Sequence, residues 1–163
     1  MAYPFAIPED THVVLGAAPI VGAAGAVVGD YISLRYAQKV WCLVLYNQAD
    51  GNAITFGVNE ATAVAPASAG AIVATMPIWS NLACGTNDLW VRRADAATYA
   101  TDAGAATKMI IFEVDPAILT ADHDCIALRS DTAIAAAQYV SYVYLIAPRY
   151  AGAVDAAPSY IID

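Results

Sequence analysis

The segment Asp122-His123-Asp124-Cys125 is the only cluster of metal-type ligands in the chain, and His12 is the only other histidine. Consecutive residues of an extended segment point in opposite directions, so at most two of the four could face one ion. A zinc or catalytic site would need ligands from elsewhere, and the cluster reads as a solvated loop. The glycines Gly16, Gly22, Gly25 and Gly29 loosely resemble a phosphate loop. They lack the Gly-Lys-Ser/Thr ending and the strand–turn–helix setting that such a loop requires. Serines lack a nucleophile elbow, and neither histidine sits in a triad-like context. Asp30, Glu113 and Asp115 are the carboxylates that could in principle pair for glycoside cleavage. As scattered acids in a β protein they read as surface charge. The tyrosines of the last strand, Tyr139, Tyr142, Tyr144 and Tyr150, raise the option of a sugar-binding platform. Tyr142 and Tyr144 share one side of that strand, a placement that also suits core or interface packing, which is preferred. The expectation is a protein that is not an enzyme and needs no cofactor and no metal.

The elements that position these residues are strands. The stretch KVWCLVLYNQADGNAITFGV, Lys39 to Val58, opens with a run apolar on both faces. Val40, Cys42, Val44 and Tyr46 share one side, and Trp41, Leu43 and Leu45 the other. A strand in a two-layer sheet usually keeps one side polar. This one calls for cover on both sides, from its own core and from something else. Asp50-Gly51 predicts a hairpin turn, because Gly tolerates the positive φ that such turns use. Alternation, β-branching and turn residues predict further strands at Thr11–Leu15, Asp30–Arg35, Lys39–Gln48, Ala53–Val58, Thr75–Trp79, Leu89–Arg93, Lys108–Val114, Cys125–Arg129 and Tyr139–Ala147. Asp115-Pro116 starts one helical turn through Leu119, and Thr132–Ala137 is a second short-helix candidate. Asn59–Ala74 is helix-ambiguous, with Pro66, Ser68 and Gly70 favouring a loop. The fold class expected is all-β and mainly antiparallel, a β-sandwich or jelly-roll-like barrel with an extended N-terminal arm and one or two short helices.

Three regions follow: an arm over residues 1–10, a single β domain over 11–157 and a tail over 158–163. In the arm MAYPFAIPED, Pro4 and Pro8 forbid a helix interior, and Tyr3, Phe5 and Ile7 alternate along an extended path. The tail ends in Tyr160, Ile161 and Ile162. These six residues are the predicted partner contacts, since apolar termini need something to hold them.

Composition narrows the partners. Of 163 residues 60% are hydrophobic and 13% charged, against about 25% charged in ordinary soluble domains. Much of the excess is alanine, yet too few charges remain to coat a free monomer in the usual way. The net charge is −8 with seven basic residues, adjacent only at Arg92-Arg93. That excludes the clustered cations that nucleic acid binding requires, and disfavours an anionic membrane surface. Cys42, Cys84 and Cys125 are too widely spaced for a disulfide framework; Cys42 lies inside an apolar strand and Cys125 starts another, which reads as buried free thiols and is consistent with folding in a reducing cytoplasm. No basic n-region of a signal peptide is visible, and the uncharged stretch Val13–Gly29 is short of the ~20 apolar residues of a membrane span.

The segments GDYISLRYAQKVWCLVLYNQADGN, KMIIFEVDPAILTADHDCIALRSD and YLIAPRYAGAVDAAPSYIID together resemble small virion proteins of tailed bacteriophages and prophages, encoded near the major capsid protein. The likeness runs from about Gly29 to the end and is carried by strand-and-turn phrases. It implies a head decoration, or cement, protein on the capsid exterior, made in the host cytoplasm. The implied partners are the major capsid protein and further copies of the chain, a trimer by analogy; no catalytic residue is implied. Another virion component, such as a head fibre or tail-associated subunit, or a carbohydrate-binding module, is the alternative.

Overall fold

Alternating apolar residues build strands along most of the chain. The computed structural model describes residues 10–22, 25–149 and 160–161. Among them twelve strands run β1 His12–Val21, β2 Ala26–Val28, β3 Ile32–Ser33, β4 Ala37–Gln48, β5 Thr55–Ala61 and β6 Gly70–Ala71. They continue as β7 Met76–Asn81, β8 Val91–Ala96, β9 Thr98–Ala100, β10 Ala106–Val114, β11 Cys125–Ala133 and β12 Tyr139–Pro148. A six-stranded sheet has the order β1-β12-β4-β10-β7-β8, and the second sheet has β2-β11-β5-β6, with β3 pairing β11 and β9 pairing β5. Every pairing is antiparallel. The two sheets pack face to face as a β-sandwich, the architecture expected from the sequence.

The core lies between them. Val40, Cys42, Val44 and Tyr46 of β4, Ile110, Phe112 and Val114 of β10, and Tyr142, Tyr144 and Ile146 of β12 meet Phe56, Val58, Ile126 and Leu128 of the second sheet. Buried tyrosine hydroxyls peg the layers together. The Leu128 amide donates to Tyr144 Oη at 2.8 Å, and Tyr142 Oη donates to the Val27 carbonyl at 3.2 Å. Burial pushes the Tyr46 phenol up to about 12, with a smaller push from Asp50; its hydroxyl donates to Gln138 Oε1 at 2.7 Å. Each phenol thus stays neutral and brings its polar tip to a partner, as a buried hydroxyl must.

Several expectations need correction. The Asp50-Gly51 turn does not close a hairpin: β4 and β5 belong to different sheets. Both edges of β4 are occupied, by β10 and β12, so the following strand has nowhere to pair and crosses to the other layer. The turn chemistry survives, with the Asn52 amide donating to Asp50 Oδ1 at 3.1 Å. Thr132–Ala137 is not helical; β11 runs on to Ala133 and a turn follows. Helix propensity of alanine is a weak prior, and pairing of Ala133 with Ala26 overrides it. The Pro116–Ile118 turn forms as a 3-10 helix, capped by Asp115 through the Ala117 amide at 2.9 Å. Strand β1 extends well beyond Leu15, with irregular register at Gly16 and before Ile20. No helix among the described residues is long and apolar enough to cross a membrane.

Candidate interaction surface

The six-stranded sheet has a second face, turned away from the core, and register defines it residue by residue. Directly paired residues of an antiparallel sheet project to the same side. One row reads Val13–Leu145–Trp41–Glu113. The next reads Leu15–Val143–Leu43–Ile111–Trp79–Arg92 across all six strands. A third reads Ser141–Leu45–Met109–Asn81. Among the members of β4, β10 and β12 only Ser141 and Glu113 are polar. At ~4.8 Å between strands and ~6.8 Å between same-face residues, the middle row runs roughly 24 Å and the other two roughly 14 Å each, over a height of roughly 14 Å. Val13, Leu15 and Leu45 are exposed at 53%, 55% and 37%, while Trp41, Leu43, Val143, Leu145, Met109, Ile111 and Trp79 are half-buried among their neighbours. The two-faced strand legible in the sequence is therefore real: one face makes the core, and the other is a greasy sheet surface.

The β7–β8 end of this surface is concave. A shallow cavity of about 280 Å³ is lined by Trp41, Trp79, Trp90, Ile111 and Glu113, so all three tryptophans of the chain converge there. Glu113 is held from two sides, by Trp41 Nε1 at 3.0 Å and by Lys39 Nζ at 2.6 Å. Its hydrogen bond and charge hold the Lys39 ammonium above the usual lysine range. The Arg92 guanidinium lies over Trp79, 4.8 Å from the ring centroid, and pairs with Asp95. A concave, aromatic surface with an arginine on its rim has the composition of an interaction hot spot.

The chemical candidates do not gather. His123 lies in the loop before β11, its ring nitrogens facing the Ala121 and Ser68 carbonyls at 3.3 and 3.2 Å. His12 packs at 5.0 Å against Tyr160, on β1. Glu113 is on the outer face, Asp115 caps the 3-10 turn, and Asp30 lies between β2 and β3. No group of three or more His, Cys, Asp or Glu able to hold a metal ion occurs among the described residues. Asp124 instead pairs with Arg35 at 2.6 Å. Cys42 and Cys125 are buried thiols outside any disulfide and Cys84 is partly exposed; burial raises the Cys42 thiol far above its ordinary range.

The tyrosine platform also needs correction. Tyr142 and Tyr144 share a side, but it is the core side, and both are fully buried. Tyr139 alone is exposed among the described tyrosines of that strand, and Tyr150 lies outside the described residues. Sequence reasoning named the tyrosines and passed over Trp79 and Trp90. The available signal was that Trp79 and Trp90 flank a turn-rich stretch between two predicted strands, which places them side by side. Of the predicted partner contacts, Tyr3, Phe5, Ile7 and Ile162 lie outside the described residues. Tyr160 is buried, and its carbonyl accepts from the Ser33 amide at 2.7 Å; Ile161 is 46% exposed.

No protein-family model matches the chain, and no curated protein matches it. Among solved structures, that of SPBc2 prophage-derived protein YomS is similar, with a TM-score of 0.46 and 6% identity over 84% of this chain and 93% of that one. A likeness of this degree has no bearing on what the chain does.

Proposed function

We infer that this chain is a structural subunit of a bacteriophage virion, a capsid decoration protein that works by association rather than by chemistry. The observation that carries the reading is the apolar outer face of the six-stranded sheet. A patch of that extent left open by the described residues, in a protein with so few charges, supports an interaction surface. The resemblance of the strand-and-turn phrases to phage head proteins supplies the setting. The partners are then the major capsid protein and further copies of the chain, on the capsid exterior, with no catalysis and no cofactor. The rows alone cover less than half of the ~800 Å² per partner that a standard stable contact buries. The arm with Tyr3, Phe5 and Ile7, and the tail residues Ile161 and Ile162, are proposed to enlarge the contact; Tyr160, expected with them, is instead spent on the subunit's own core. Repetition over a lattice then multiplies a modest interface.

The test is binding of the purified protein to heads that lack it. Wild-type protein is expected to saturate regular sites visible by particle imaging, and Leu43→Glu to leave them empty. A wild-type protein that stays monomeric at high concentration and never decorates heads would overturn the reading. Labelling confined to the tail or to fibres would instead assign it to another part of the virion.

A further inference from the structure

We propose that His123 is a proton-operated latch. As an imidazolium it pins the connection between β5 and β6 over a small apolar cluster around Cys125, and as a neutral ring it releases that connection. The device lies on the second sheet, on the face turned away from the core, and is independent of the association surface. Ile126 and Leu128 of β11 belong to the core, so Cys125 and Ala127 project to the other side, where Cys125 pairs with Ala61 of β5. With Tyr31 these residues form a separate cluster, and Val64, from residues 62–69 between β5 and β6, packs against it. Cys125 is fully buried there.

The connection is fastened near both ends. Close to β5, the Thr62 amide and hydroxyl both donate to the Ala67 carbonyl at 3.2 Å. Close to β6, the Ser68 carbonyl lies 3.2 Å from His123 Nε2, and the Ala121 carbonyl lies 3.3 Å from Nδ1. A carbonyl oxygen only accepts, and two N–H groups exist only on the protonated ring. The backbone on either side of this contact is strained. Ser68 at φ 50° and Asp122 at φ 68° are the non-glycine residues with positive φ among the described residues. One supplies the carbonyl and the other directly precedes the histidine. Left-handed backbone persists at such residues where surrounding contacts impose it, and it marks elements able to switch.

The neighbouring charges favour the closed state. Besides the bonds to the Ser68 and Ala121 carbonyls, Glu60 of β5 and Asp122 raise the folded-state value of the ring. The Glu60 carboxylate also accepts from the Thr120 amide at 2.9 Å, and Asp124, on the other side of His123, pairs with Arg35 at 2.6 Å. A neutral ring has one N–H for two acceptors. The Ala121 bond spans two residues and costs little to keep, whereas the Ser68 bond spans 55 and is the one released. The latch is therefore shut below the ordinary histidine range and opens as pH rises through the raised value. Relaxation at Ser68 then lifts Val64 from the cluster.

The test is alkylation of the full chain by short pulses of iodoacetamide from about pH 5.5 to about pH 8.5, across the ordinary histidine value, with each cysteine followed by peptide mass. His123→Ala carries the same thiol, so the ratio of Cys125 rates, variant over wild type, cancels the thiol's own titration. That ratio is expected to be about ten at the acid end, the weight of one charge-assisted hydrogen bond, and to fall to about one above the histidine range. His123→Gln, a neutral side chain, is expected to match His123→Ala. Amide exchange over residues 62–69 should follow the same profile, slower in wild type than in either variant only at low pH. Cys42, in the core, is expected to stay unlabelled, which separates a lifted connection from global unfolding. A ratio near one at every pH, or one raised equally at every pH, would overturn the inference. So would a Cys125 that is labelled in neither protein, or labelling of Cys42 in step with Cys125.

Discussion

Two side chains show how local surroundings decide a residue's part. Trp41 and Cys42 are neighbours on one strand, yet Cys42 is fully buried while Trp41 lines the outer cavity. A fully buried tryptophan cut to alanine costs about 3–5 kcal/mol of folding stability. Trp41, half-buried on the outer face, should cost much less than that. Trp41→Ala is therefore expected to lower the thermal midpoint only slightly and to weaken association by about 2 kcal/mol, the scale of a hot-spot residue. Light scattering beside thermal unfolding measures the two losses separately. Lys108 is the opposite case, a charge with no exposed side-chain surface. Its ammonium donates to Gln48 Oε1 at 2.8 Å and to the Asp102 carbonyl at 2.9 Å, and it pairs with the Asp102 carboxylate. Lys108→Ala removes the buried stem and leaves these acceptors short of a donor. A loss of about 3 kcal/mol is expected by chemical denaturation. The Lys108 hydrogen bond, foremost, holds the Asp102 carboxyl below its usual range. A depressed folded-state value means stability that is complete above the ordinary aspartate range and is lost as pH falls through the folded value. Unfolding followed below about pH 4 should therefore show an acid loss that Asp102→Asn abolishes.

At the scale of elements, the sequence was legible where one strand's own pattern decides the outcome and illegible where a neighbour decides it. The long strands β4, β10 and β12 announce themselves by alternation, and β4 even discloses that both its faces are apolar. The short strands β2, β6 and β9 have two or three residues each. They exist because β11 and β5 offer them an edge, which no local periodicity records. The Asp50-Gly51 signal was right about a turn and wrong about its consequence, since β10 and β12 already flank β4. Consecutive strands pair only at β5–β6 and β7–β8, so most of the topology is non-local and invisible to turn chemistry. The candidate site suffered likewise, since Trp41 meets Trp79 only through the β4–β10–β7 register, whereas Trp90 follows from the local pairing of β7 with β8. Connections are also where close approach matters. A Cβ on Gly29 would lie 2.9 Å from the Gly16 carbonyl oxygen and 3.0 Å from the Tyr142 ring. Gly29→Ala forces the β2–β3 connection away from β1 and is expected to cost about 1–3 kcal/mol, read as a lower unfolding midpoint. In the loop before β11, His123 faces two carbonyl oxygens, which only the imidazolium can satisfy together. Those bonds, with lesser help from Glu60 and Asp122, raise its folded-state value. The added stability is present below the ordinary histidine range and is lost as pH rises through the raised value. Proton resonances of His123 should titrate above those of a free histidine, and the carbonyl carbon resonance of Ser68, whose oxygen accepts from the ring, should shift over the same interval.

For the whole molecule, the question is what a sandwich gains from a sheet that is apolar on both sides. Folding alone explains one side: burial of the inner rows supplies the hydrophobic term, and tyrosine hydroxyls join the layers. The outer rows, only half-buried against one another, add far less to the isolated fold, and exposed sheet surface of this kind invites uncontrolled association. Its edges restrain that hazard. β1 carries register irregularities and Pro19, and β8 carries Arg92 and Arg93, features that blunt strand-to-strand addition. In the proposed reading, contact is thereby directed to the face instead of the edges. If the face makes the proposed contact, reversing its polarity should prevent association while sparing the fold. Val143→Glu sits in the middle row beside Leu15 and Leu43, where a carboxylate stays wet in the free subunit and is stranded in an apolar contact. It is expected to leave thermal unfolding within about 0.5 kcal/mol of wild type, as for a surface substitution. It should also abolish association at concentrations where the wild type is assembled, because a desolvated unpaired charge costs several kcal/mol. Sedimentation velocity over a concentration series would settle it. Unchanged association of Val143→Glu would remove the outer face from the contact and leave the arm and tail to carry it alone.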